Sequence, residues 1–256
     1  MKVRQLMGKN VVKKEYHFTE IKKKSLLIIF IMLVLYLTVG RIISTSYTLI
    51  TGQALNEIQS NVFLWAIDLV TTAVLLFSLW YFISRSFKDL KEKGFGNLIK
   101  WIVLGFLFQL LMATAGYTLM AIIVFAGKIH LSLSNQATVT ELAKRFVLIN
   151  FIDVVIIGPF IEELFFRVLV FGLLKHKKLI LSIVLSALLF GLAHVMRELI
   201  QGEIVSALVT MIMYSFSGAA LAILYAKRKN FIIPLMVHSM WNLMGFSLSL
   251  LRGFLS

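Results

Sequence analysis

The chain has 256 residues, 59% of them hydrophobic and 15% charged, with a mean hydropathy of +0.91. A soluble domain of this length has no use for so much apolar surface, so the class is a polytopic membrane protein. There is no cysteine, which excludes disulfides, thiolate metal sites and cysteine nucleophiles. The net charge of +14 is not a nucleic-acid signature. Most Lys and Arg lie in short segments between apolar stretches, where they set orientation and meet anionic lipid headgroups.

A span needs about 20 apolar residues to cross the roughly 30 Å hydrocarbon core. Open-edged strands cannot lie in lipid, so the spans are helices. Residues 1–24 carry eight Lys/Arg and two Glu and read as a basic cytoplasmic tail before an uncleaved first helix. Spans are expected near 25–45, 62–84, 98–127, 146–174, 179–199, 204–226 and 230–251. The expected fold is therefore an all-α transmembrane bundle of about seven helices, with six and eight also admitted because the third stretch is long enough to be tilted or broken. The 85–100 segment, the KHKK run Lys175–Lys178 and the KRK run Lys227–Lys229 are the basic connections, and they alternate with poorer ones near 46–61, 128–145 and 200–203. Lys144 and Arg145 blur the second of these, but the alternation still puts the N-terminus inside.

The fourth stretch carries an anomaly, GPFIEELFFRVLVFG at 158–172. Each ionised residue at a helix centre costs about 2.5–3.5 kcal/mol on insertion scales. Glu163 and Arg167 are i and i+4 and can pair directly, which makes them scaffold. Glu162 is turned about 100° away and lacks such a partner, so it must face water or another polar group.

Few partners are available. His17, His130 and His176 fall in tails or loops, while His194 and His238 lie within apolar segments. His194 ends FGLAH with Phe190 one turn earlier, and His238 opens HSMWN with Asn242 one turn later. Rise along the helices puts Glu162, His194 and His238 about 19, 24 and 12 Å from the inner flanks, so all three lie below the lipid surface. The only two prolines, Pro159 and Pro234, stand near Glu162 and His238. Each removes a backbone donor and can bend its helix and free a carbonyl.

A buried carboxylate beside a neutral imidazole can serve as general base towards water. A second imidazole and an amide can stabilise the oxyanion of a tetrahedral intermediate. The chemistry read here is hydrolysis of an acyl bond, a peptide bond at membrane depth. Rival sites fit worse. HExxH is absent, Asp68 and Asp153 stand in AIDLV and FIDVV without a GxGD context, and Ser217 in SFSGA with His238 is a partial rhomboid match that leaves Glu162 unexplained.

Taken together, EELFFR (Glu162, Glu163, Arg167), FGLAH (Phe190, His194) and HSMWN (His238, Asn242) resemble the EExxxR, FxxxH and HxxxN motifs of the CPBP family. These are the CAAX proteases and bacteriocin-processing enzymes, also called Abi and related to type II CAAX prenyl endopeptidases. The resemblance covers roughly 146–246, which divides the chain into leading transmembrane helices at 25–140 and a catalytic helix core at 141–252. It implies an intramembrane endopeptidase in which Glu162 and His194 activate water, His238 and Asn242 hold the oxyanion, and Glu163, Arg167 and Phe190 support them. Some members are labelled metalloproteases, and Glu162, His194 and His238 would be the ligands of a divalent metal such as Zn²⁺. A Glu–His pair can activate water unaided, and the reading leans against a tightly held metal. The composition looks bacterial, so the expected setting is a bacterial plasma membrane. The expected partners are membrane lipid and a membrane-associated peptide or protein, with roles in bacteriocin processing, self-immunity or peptide signalling. The alternative is a non-catalytic immunity or regulatory scaffold of the same fold.

Overall fold

The computed structural model describes residues 21–129, 131, 147–174 and 178–255. Among these residues there are only helices and their connections. The order is α1 Lys23–Thr51, α2 Glu57–Ser78, α3 Trp80–Lys93, α4 Phe95–Gly127, α5 at 147–173, α6 Leu179–His194, α7 Met196–Ile200, α8 Ile204–Arg228 and α9 Ile232–Leu255. Helices stand at all seven expected places, and four of them (α1, α2, α4 and α8) are long and apolar enough to cross a bilayer. The basic runs at 175–177, the tail at 1–20 and most of 128–145, with His17, His130, His176, Lys144 and Arg145, lie outside the described residues.

Three boundaries differ from expectation. The 85–100 segment is not a loop. Its residues 85–93 complete the amphipathic α3, which buries Phe82, Ile83, Ser86 and Leu90 and stops at Gly94, whose φ of 85° ends the helix, and residues 95–100 open α4. The expected span at 179–199 breaks after His194, and α7 follows as a separate turn. The long third stretch is one unbroken helix of 33 residues. At 1.5 Å per residue α4 extends about 50 Å, so it crosses tilted or projects beyond the bilayer.

The core is built around α5 and α8. Ile161, Leu164, Phe165, Val168, Leu169 and Phe171 of α5 are buried against Ile29 of α1, Leu221 and Tyr225 of α8 and Ile233 and Val237 of α9. On the other side, α4 and α6 press onto α8 through small residues. A Cβ at Gly116 would lie 2.9 Å from Phe216 Cβ, and one at Gly191 would lie 2.3 Å from Ser215 Oγ and 2.9 Å from the Met211 carbonyl. This is the small-residue packing by which membrane helices approach closely. Gly191→Ala is expected to lower stability by about 1–3 kcal/mol, because the Met211 backbone cannot retreat. Detergent-titration unfolding reads this directly, and an unchanged midpoint would contradict the close α6–α8 contact.

Helix α5 is not regular. Wide π turns at Asp153–Ile157 and Leu164–Leu169 interrupt its α-helical segments. In the first, Gly158 N–H bonds to the Asp153 carbonyl instead of that of Val154. Pro159 has no N–H to offer, so the Val154 carbonyl loses both helical donors. The expectation that Pro159 frees a carbonyl is met. Pro234 does not act this way, because it sits in the first turn of α9, where a missing donor costs nothing.

Candidate active site

The two π turns decide where the polar side chains of α5 point and who satisfies its carbonyls. The Asn242 amide donates to the Val154 carbonyl at 2.8 Å, and the Ser186 hydroxyl donates to the Phe166 carbonyl at 2.6 Å. The first bond gives Asn242 a structural tie in addition to the oxyanion role expected of it. One N–H of its amide ties α9 to α5, where the proline and the wide turn leave that carbonyl otherwise bare, an arrangement that would cost several kcal/mol in lipid.

Glu163 and Arg167 pair as their spacing requires, with Nε 3.0 Å from Oε2 and both side chains fully buried. The guanidinium also donates to Ser186 Oγ at 3.1 Å and lies 4.9 Å over the Phe190 ring. Glu163 does more than the scaffold role assigned to it. Its Oε1 accepts from His238 Nδ1 at 3.0 Å, so one carboxylate bridges the guanidinium and an imidazole of another helix. A carboxylate has lone pairs for both partners.

His238 Nδ1 faces a carboxylate and must carry its proton, which leaves Nε2 pointing elsewhere. It points at Glu162, 3.8 Å from Oε2. His194 Nδ1 lies 2.8 Å from the Phe190 carbonyl. A carbonyl only accepts, so this nitrogen also carries the proton and His194 Nε2 holds a lone pair. That Nε2 is 4.0 Å from the same Glu162 Oε2. Glu162 therefore faces both imidazoles, a meeting that the depth of the three residues permitted, with an oxygen that is enclosed and accepts no hydrogen bond from the described residues. Phe190 and Tyr214 flank the His194 ring at 4.3 and 4.5 Å between centroids and hold its plane. A cavity of about 50 Å³ whose lining includes Tyr117, Phe190, His194, Tyr214, His238, Trp241 and Asn242 opens beside the rings, with room for a few waters.

Glu162 Oε2, His194 Nε2 and His238 Nε2 are the donor atoms that a zinc ion would take here. Ligand atoms about 2.0–2.1 Å from a tetrahedral zinc lie about 3.4 Å from one another. Glu162 Oε2 stands 3.8 and 4.0 Å from the two imidazole nitrogens, wider than that geometry. Among the described residues no group of three His, Asp or Glu has metal-holding geometry. The residues as placed do not fit the ion.

Sequence reading missed part of the surroundings. Asp68 of α2, set aside for want of a motif, hydrogen-bonds to Asp153 of α5 and to Tyr36 of α1, and all three lie within electrostatic reach of Glu162. Two carboxyl groups bonded to each other share a proton, since ionised carboxylates only accept. Tyr117, Tyr214 and Trp241 carried no signal distinguishing them from ordinary membrane aromatics.

A family model matches this region of the chain. Residues 144–244, which contain all seven expected site residues, match the family model described as type II CAAX prenyl endopeptidase Rce1-like. The chain is 31% identical over 88 residues to the "Putative membrane peptidase YdiL" of Bacillus subtilis, covering 34% of this chain and 32% of that protein. It is 29% identical over 117 residues to the UPF0177 protein YvdC of Lactococcus lactis, covering 46% of this chain and 41% of the relative. The matched parts thus span less than half the length of these relatives. No solved structure matches.

Proposed function

We propose that this chain, which through residues 144–244 belongs to the Rce1-like family of membrane proteases, is an intramembrane endopeptidase that hydrolyses peptide bonds with a glutamate-activated water. The observation that carries the reading is one Glu162 oxygen facing His194 Nε2 at 4.0 Å and His238 Nε2 at 3.8 Å. Those distances are too long for direct hydrogen bonds, and they suit one water held between the acid and a ring about 2.8 Å from each.

The roles follow from the atoms. A water in that position donates one proton to Glu162 and the other to the lone pair of His194 Nε2, which orients its oxygen towards a substrate carbonyl. As the C–O bond forms, Glu162 takes the proton. The carbonyl oxygen becomes an oxyanion and is met by a proton on His238 Nε2. In this role His238 carries a proton on each nitrogen, one held by Glu163 Oε1 and one offered to the oxyanion. When the tetrahedral intermediate collapses, the C–N bond breaks and Glu162 passes its proton to the leaving amine. Glu163, Arg167 and Asn242 position these groups. No step requires a metal.

The substrate we assign is a membrane-associated peptide or protein, in bacteriocin processing, self-immunity or peptide signalling, and the setting is a bacterial plasma membrane with the N-terminus cytoplasmic. Both matched relatives are bacterial. The alternative, a binding scaffold, gives no purpose to an enclosed carboxylate oxygen aimed at two imidazoles.

The test is cleavage of membrane-inserted peptides by the purified protein in proteoliposomes, with mass spectrometry of the products. The rate is expected to be unchanged, within about twofold, after exhaustive treatment with a strong zinc chelator. Loss of activity on chelation with recovery on adding zinc would replace the metal-free mechanism.

A further inference from the structure

A groove of about 430 Å³ between α2, α5 and α9 is lined mostly by apolar side chains and holds no titratable group. The small cavity beside the two imidazoles is different in kind. Its walls include Ser217 of α8, to which the chemistry above gives no part, together with His194, His238 and Asn242. Ser217 is 9% exposed, and its hydroxyl hydrogen-bonds to none of the described residues. It does not return its proton to the carbonyl one turn back, as Ser182 does to that of Lys178. Thr210 and Ser215 on the same helix have oxygens sealed off from any space, whereas that of Ser217 keeps a surface beside the cavity.

We propose that the Ser217 hydroxyl is a further catalytic group, a hydrogen-bond donor to the oxyanion that forms at the scissile carbonyl. It rests on the endopeptidase reading above and adds a donor to that site. The first support is place. Tyr214, three residues earlier on the same face of α8, has its ring 4.5 Å from that of His194. His238, which already meets the oxyanion, forms part of the same cavity wall, and Asn242 follows it there one turn later. About 50 Å³ takes a carbonyl oxygen or waters and leaves no space for a bulky side chain.

The second support is rigidity. A Cβ at Gly218 would lie 3.0 Å from Phe190 Cβ and 3.1 Å from the Ala187 carbonyl, so α8 at Ser217 is locked onto the helix that carries His194. A short side chain on a fixed backbone is a donor that needs no reorganisation when charge develops, which is what oxyanion stabilisation requires. The third is the lack of a base. A nucleophilic serine needs one within hydrogen-bond reach. Each imidazole Nδ1 is held, by Glu163 or by the Phe190 carbonyl, and each Nε2 faces Glu162. Ser217 therefore keeps its proton and offers it as a donor, with no bond made or broken at its oxygen.

The test is Ser217→Ala in the full chain, reconstituted in proteoliposomes with a membrane-inserted peptide. The expected loss in kcat is about 10–100-fold, at or below that for one oxyanion-hole donor, with KM within about twofold of the parent. The detergent unfolding midpoint and the pH profile of cleavage are expected to stay as in the parent, since the hydroxyl holds no partner and does not titrate. A kcat within about threefold of the parent overturns the proposal, as does a loss carried by KM alone or a lowered midpoint, which would make Ser217 a binding or packing residue. Covalent capture of Ser217 by a fluorophosphonate also overturns it, because the serine is then a nucleophile. Glu162-dependent cleavage that survives Ser217→Ala at the parental rate removes Ser217 alone. A parent that cleaves no faster than Glu162→Gln removes the protease reading, and this role falls with it.

Discussion

Glu162→Gln is expected to slow peptide cleavage by about 10²–10⁴-fold, the usual contribution of a positioned general base. Glutamine keeps the shape and can still hydrogen-bond a water, but it cannot take the proton. The fold should survive, because the Glu162 side chain is 30% exposed and its facing oxygen makes no hydrogen bond in the described structure. The unfolding midpoint should therefore stay close to that of the parent while single-turnover cleavage collapses. Cleavage by the variant at the parental rate would leave Glu162 without a chemical role. His194 Nε2 would then be the remaining base in reach of the same water.

Arg167→Ala is expected to cost about 3–5 kcal/mol of stability, the loss seen when one member of a buried ion pair is removed. The magnitude follows from what the guanidinium touches. It lies fully buried, 3.0 Å from Glu163, bonded to Ser186 and stacked over Phe190. Removing it strands the Glu163 charge in the core and unseats the carboxylate that orients His238. Activity should fall with stability, in contrast to Glu162→Gln. Arg167→Lys should recover only part of either, since an ammonium cannot reach Glu163 and Ser186 in the same planar fork. Unfolding by denaturing detergent, followed by circular dichroism, separates the two variants. An Arg167→Ala protein as stable as the parent would show that the ion pair contributes nothing to the fold.

How much of this was legible depended on how local each feature is. The Glu163–Arg167 pair is four residues apart on one helix, so its geometry follows from helical pitch alone. The same holds for the phasing of Phe190 with His194 and of His238 with Asn242. The meeting of Glu162 with both imidazoles was permitted by depth and by the scarcity of partners, yet the 3.8 and 4.0 Å approaches depend on three helices crossing correctly. Asn242 shows the limit. Its face was right, but its partner is a carbonyl that became available only because a π turn and Pro159 leave Val154 without a donor. Asp68 and Asp153 show the converse. Neither sits in a motif, and they become a pair only where α2 packs against α5.

The sequence by itself determined that this is a membrane bundle of helices, where those helices lie, and that an ionisable group without a partner on its own helix is buried among them, because length, hydropathy and four-residue phasing are properties of contiguous chain. The tertiary structure alone decided that Glu163 reaches His238, that Asn242 ties α9 to α5, and that an apolar groove opens beside the site. Those outcomes depend on the rotation and crossing of helices distant in sequence, which are set by close contacts such as those of Gly116 and Gly191 with α8 and by the extra residue that each π turn threads into α5.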